Sequence, residues 1–196
     1  YSNRFPRPPV DTIGTMSRPP HARESVLDAF EALLIAEGER AATMEATARA
    51  AGVSKGGLLY HFASKEALEA ALLARMEVRV HDDVEEMRAD PSGLVAAFVR
   101  TSVMNDSPVD RALIAVSKLA QAGNADAALA LRRVRQQWED ALRPHTRDET
   151  ALHLVLLVSD GLYFNNALDQ GTVSGPVPQG AEMDALIALV ERATRA

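Results

Sequence analysis

The side chains able to do chemistry concentrate between Thr43 and Lys65. Hydroxyls stand at Thr43, Ser54 and Tyr60, cations at Arg49, Lys55 and Lys65, an imidazole at His61, and bare backbone at Gly56 and Gly57. Glu45 is the one acid among them, so the local charge is +2 in a chain of net charge −6. Hydroxyls, cations and glycine N–H groups are the partners phosphate oxygens take. They are a poor set for covalent catalysis. No cysteine is present, and the five histidines are scattered. No phosphate-cradling glycine loop, dinucleotide fingerprint, paired-histidine zinc motif or nucleophile elbow occurs. His81 has Glu77 and Glu85 four residues to either side, which reads as a solvated charged face rather than a metal site. No enzyme activity, cofactor or metal is therefore expected.

Spacing within the stretch sets out the elements that must hold these groups. Thr43 is placed to cap a helix, because its hydroxyl can accept from an N–H one turn in. Ala48 and Ala51 are small enough for a second helix to cross nearby. Gly52 suits the left-handed residue after a helix end, and Val53 is a lone apolar plug in the turn. Ser54 caps a short helix over Lys55–His61, and Ser64 caps a longer one beginning at Lys65. This pattern predicts a helix-turn-helix, whose second helix enters the DNA major groove by its N-terminal residues. Lys55 opposes the dipole of that helix unless a phosphate lies near. Gly56 and Gly57 each cost roughly 1 kcal/mol against alanine in a helix. Close approach of backbone to DNA is the compensating gain.

The segment AAGVSKGGLLYHFASKEAL resembles the DNA-binding domain of the TetR family of bacterial transcriptional regulators, and Arg23–Gly38 resembles that family's first helix. The likeness covers roughly Arg23 to Arg75. It implies an all-α fold with an N-terminal three-helix DNA-binding domain and a C-terminal helical domain for effector binding and dimerisation. It further implies DNA contacts from Thr43, Lys55, Gly56, Tyr60, His61 and Lys65. Ser54 and Gly57, on the same turn, and Arg49, exposed and cationic, complete the candidate set. Two positions depart from the family pattern. Thr47 replaces the usual isoleucine, and Leu59 stands where a phosphate-contacting tyrosine is usual, with Tyr60 one place later and about 100° further round the helix.

The rest of the chain reads as helices, about nine in all. Hydrophobic residues make up 47% and aromatics only 5%. No apolar run reaches the ~18 residues of a membrane span. Together with the lack of cysteine, this predicts a cytoplasmic protein. A proline-rich arm, extended or disordered, is expected over residues 1–20, the DNA-binding domain over 21–66 and the effector and dimer domain over 67–196. Helices are expected near 22–37, 65–88, 92–104, 108–122, 125–143, 148–170 and 181–193. The helix over 148–170 is apolar all round and wants a partner. Leu156, Gly161 and Phe164, with Leu186 and Val190 of the last helix, are the candidate seam of a homodimer. Trp138 lies on an inner face with Leu131, Val134 and Leu142. In the resembled family the helix at this place lines the effector cavity, so Phe98, Met104, Leu113, Val116, Trp138, Tyr163 and Asn165 are the candidate effector contacts. Such a set would suit a largely apolar small molecule. The expected partners are thus a double-stranded DNA operator, a small-molecule effector and a second copy of the chain, with repression relieved by the effector. The competing reading is a helical ligand-binding or enzymatic module whose helix-turn-helix is incidental.

Overall fold

Side-chain caps mark the helix starts. Thr43 Oγ1 accepts from Ala46 N (3.1 Å), Ser54 Oγ from Gly57 N (3.0 Å) and Ser64 Oγ from Ala67 N (3.2 Å). Each such cap contributes about 1 kcal/mol. The computed structural model describes residues 19–103, 105–168, 175 and 177–195. Among them are nine α-helices and no strand: α1 (Pro19–Glu37), α2 (Met44–Ala50), α3 (Lys55–His61), α4 (Lys65–Ala89), α5 (Leu94–Thr101), α6 (Pro108–Gln121), α7 (Ala125–Leu142), α8 (Glu149–Leu168) and α9 (Ala181–Thr194). The predicted helices are all present, and α1, α5 and α8 differ at their ends. α1 starts at Pro19, inside the expected arm, because proline fits the first turn of a helix. The remainder of that arm, residues 1–18, lies outside the described residues. α5 is shorter than 92–104. Asp90 holds Ser92 through its N–H (2.8 Å), and Gly93 takes φ +91°, so the chain turns before the helix begins. Asp148 sits outside α8 as its cap, accepting from Ala151 N at 2.8 Å.

Two hydrophobic clusters form the interior. The first gathers Val26, Phe30 and Leu34 of α1, Leu58 of α3, Leu72 and Met76 of α4, Val116 and Leu119 of α6, and Val134 of α7. The second gathers Val84 and Met87 of α4, Phe98 of α5, Leu142 of α7, Leu152 and Val155 of α8, and Ile187 of α9. Helices α4 and α7 run through both, and Trp138 packs against both. Thr47 stands in the first core where the resembled family has isoleucine. The residue is fully buried, and its hydroxyl has no hydrogen-bond partner among the described residues.

A charge cluster sits on the first core. Glu31 is 2% exposed. Its carboxylate receives Arg75 (2.8 Å) and Arg79 (2.8 Å) from α4 and Arg111 (3.3 Å) from α6. A buried carboxylate without such partners would be strongly destabilising. Here one side chain of α1 ties down two other helices.

The proposed seam needs correction. Leu156 is 4% exposed and Val190 3%, both in the second core, so neither is available to a partner. Alternate turns of the same helices point outward instead. Leu154, Leu157, Gly161 and Phe164 are exposed along one side of α8, and Leu189 is exposed on α9. Leu186 is half-buried between the two sets.

Candidate nucleic-acid interface and ligand cavity

The α2–α3 pair presents most of the candidate contacts together. Thr43, Arg49, Ser54, Lys55, Gly56 and Tyr60 are exposed, while Gly57, His61 and Lys65 are half-buried. Tyr60 is 83% exposed, and its ring meets His61 edge-on at 5.1 Å. Such exposure for an aromatic residue leaves apolar and hydroxyl surface open to a partner. Gly52 has φ +67°, which the tight turn into α3 requires. A Cβ on Gly56 would meet only Ser54 Oγ, at 4.0 Å, so no neighbour in the protein demands glycine there. Two of the cations are already spoken for. Lys55 Nζ lies 2.5 Å from Glu45 Oε1, which partly offsets its conflict with the α3 dipole and holds the Glu45 carboxyl below the usual carboxylate range. Lys65 Nζ reaches Glu39 Oε1 (2.5 Å) and the Glu39 carbonyl (3.2 Å). Arg49 has no ion pair among the described residues.

At the far side of α4 lies a cavity of about 770 Å³ walled by α4, α5, α6, α7 and α8. Of the candidate effector contacts, Phe98, Leu113, Trp138 and Tyr163 line it. Val116 does not. It is fully buried against α1 and α7, because the α6 face that carries it turns toward the first core. Asn165 is not part of the lining either. Met104 lies outside the described residues. The wall is also more charged than a largely apolar ligand suggested, since Asp83, Glu86, Asp110, Lys118, Arg135 and Asp160 join it. Trp138 Nε1 donates to Asp83 Oδ2 at 3.2 Å. Tyr163 donates its hydroxyl to Asp110 Oδ1 at 3.0 Å, and burial with that carboxylate pushes the phenol above its ordinary range.

Sequence comparison separates the readings. Residues 26–72 match the model of the bacterial regulatory proteins of the tetR family, and residues 92–191 match the tetracyclin repressor-like C-terminal domain. The chain belongs to the TetR family of transcriptional regulators. TetR-family proteins are transcription factors and not enzymes. Solved structures agree on the fold. A TetR-family member from Streptomyces coelicolor A3, SCO1917, is similar with a TM-score of 0.63 and 20% identity, over 89% of this chain and 99% of that one. GusR of Salmonella enterica gives 0.65 and 19%, over 90% and 97%. NalD, the secondary repressor of the MexAB-OprM multidrug efflux pump in Pseudomonas aeruginosa, gives 0.59 and 20%, over 89% and 95%. No curated protein matches the sequence. No helix among the described residues is long and apolar enough to cross a membrane.

In this TetR-family chain the charged cavity wall leaves only faint local signals in the sequence. Asp83 stands in the run DDVEE, which reads as a solvated acidic face. Yet it lies three residues after buried Val80 and four before buried Met87, the spacing of the inner side of α4. Asp160 stands among the apolar residues of α8, where a polar group needs a partner. The partner is Arg135 of α7, which grips it through two bonds of 2.6 and 2.9 Å. Asp110 carries a local signal, the Ser107-Pro108-Val109-Asp110 capping box, which the structure contains.

Proposed function

We propose that this TetR-family regulator is a repressor that binds a palindromic DNA operator as a homodimer and releases it when a small molecule fills the cavity. The observation that carries the reading is the placement of two surfaces on one connected set of helices. The α2–α3 pair exposes Arg49, Lys55, Gly56 and Tyr60 at one end, and the cavity opens among α4–α8 at the other. Between them, Arg111 of the cavity-lining α6 is tied to Glu31 of α1. A ligand that displaces α6 therefore pulls on a helix of the DNA-reading head. An effector acts only through its different affinity for the DNA-competent state. The dimer seam of this reading is the outward stripe of α8 with Leu189 of α9. Two copies would close a four-helix bundle.

The test is a gel shift with DNA flanking the protein's own coding region, at several salt concentrations. Specific binding that weakens with salt is expected, with a modest slope because Lys55 and Lys65 already have carboxylate partners. Equal affinity for the flanking DNA and for an unrelated sequence would refute it.

A further inference from the structure

The charges on the cavity wall do not balance. Asp160 is consumed by Arg135, whose Nε also lies 3.3 Å from Glu139. Asp110 is consumed by the N–H groups of Asn105 and Ser107 and by the Tyr163 hydroxyl, each at 3.0 Å. Lys118 is exposed. Asp83 is left. It is half-buried on α4, accepts from Trp138 Nε1, and has no ion-pair partner among the described residues. The charged neighbours it feels, Glu86 and Asp110, are both acids. Burial and those two acids push its carboxyl up to about 6, so it is still mainly ionised at neutral pH. A carboxylate kept ionised in such surroundings costs free energy that an incoming positive charge would return. Aromatic side chains of the same wall favour the same charge. Phe98, Trp138 and Tyr163 line the cavity, and aromatic faces attract organic cations. A metal ion is the wrong cation. No group of three or more metal-ligating side chains occurs among the described residues.

We propose that the effector is an organic amine, its ammonium group seated against Asp83 and its apolar body lying among Met87, Phe98, Leu113 and Trp138. This rests on the cavity being the effector site, and it narrows the chemical class.

The experiment uses the full chain and three probes sharing one body: phenylbutylamine, phenylbutanol and phenylbutyrate, titrated calorimetrically at neutral pH. The amine is expected to bind at least about tenfold more tightly than the alcohol, with the carboxylate weakest. Asp83→Asn keeps an acceptor for Trp138 Nε1 and removes only the charge. It should bring the amine down to the level of the alcohol, while Asp83→Glu retains the preference. Equal binding of alcohol or carboxylate overturns the assignment, as does an amine preference that survives Asp83→Asn. In those cases the cavity reading stands and only the ligand class falls. Binding of none of the three also overturns it. The gel shift of the same preparation, which needs no cavity ligand, then reports separately on the regulator reading. Should Asp83→Asn fail to fold, the probe series on the unaltered chain decides alone.

Discussion

Gly56 separates stability from function. A methyl group there meets nothing closer than 4.0 Å, and alanine is favoured over glycine in a helix by up to about 1 kcal/mol. Gly56→Ala should therefore raise the melting temperature slightly. On the proposed reading it should weaken operator binding by about tenfold or more, because backbone must approach DNA at that point. Unchanged affinity in an anisotropy titration would mean that α3 does not come so close. Gly57 is a less clean probe. Its Cβ would lie 3.3 Å from Ser54 Oγ and press on the cap of α3. Asp83 gives a second prediction. Its folded carboxyl titrates at about 6, above the unfolded value, so the native state holds the extra proton between about pH 4 and 6. Stability attributable to this group thus falls as pH rises through that window, and the penalty is complete above it. Asp83→Asn should stabilise the protein at pH 7.5 by about 1 kcal/mol, allowing for the exposed part of the carboxylate, and the gain should shrink toward pH 4.5. Melting curves of both proteins across that range check it. A gain independent of pH would show that burial of the charge is not the cause. At this scale the sequence was readable wherever a residue acts on its own backbone neighbours, as at Thr43, Ser54 and Ser64. It was opaque where a partner arrives from another helix, as with Lys65 and Glu39 or Asp83 and Trp138.

The helices were legible as helices, but not which of their faces would be covered. α8 is apolar all round, so its partner-seeking character shows in the sequence, whereas the choice between Leu156 and Leu157 does not. That choice depends on where α5 and α9 dock, and contacts from other elements leave no periodic trace on α8 itself. The outcome is a stripe at Leu154, Leu157, Gly161 and Phe164. Leu157 is 68% exposed and Phe164 63%, large apolar surfaces that a solitary protomer would leave in water. Gly161 lies within the stripe, and no neighbour lies within 4 Å of where its Cβ would be. Leu157→Glu should leave the fold intact, since the side chain is not in the core, and should convert a dimer into a monomer at micromolar concentration. Sedimentation velocity and circular dichroism together decide. A dimer that persists in Leu157→Glu would move the seam elsewhere. α5 shows the complementary limit. It starts two residues later than its apolar periodicity predicts, because the Asp90–Ser92 turn and Gly93 hold the chain out of the helix, a local competition that periodicity does not register.

Over the whole molecule, the division of the chain at residue 66 does not coincide with a division of its interior. The first core takes Val26 and Phe30 from the DNA-reading head and Val116, Leu119 and Val134 from α6 and α7. Glu31 adds a charged tie between the same parts. A fragment ending at 66 would leave these apolar faces in water, with a chain too short to bury a sufficient core of its own. Residues 19–66 expressed alone should therefore be unfolded by circular dichroism, and the full chain should unfold with one transition reported alike by Trp138 fluorescence and by far-ultraviolet ellipticity. A folded short fragment, or two separated transitions, would show the head to be independent. The shared interior also bears on how such regulators can be re-engineered. Grafting a relative's head onto this chain at the 66 boundary would set foreign side chains against Ala112, Val116 and Leu119, and foreign acids or none against Arg75, Arg79 and Arg111. The unit of exchange is thus the head together with the α6 and α7 surface it was built against. Changing what this protein reads is more readily done by point substitution on the outer face of α3 than by swapping modules.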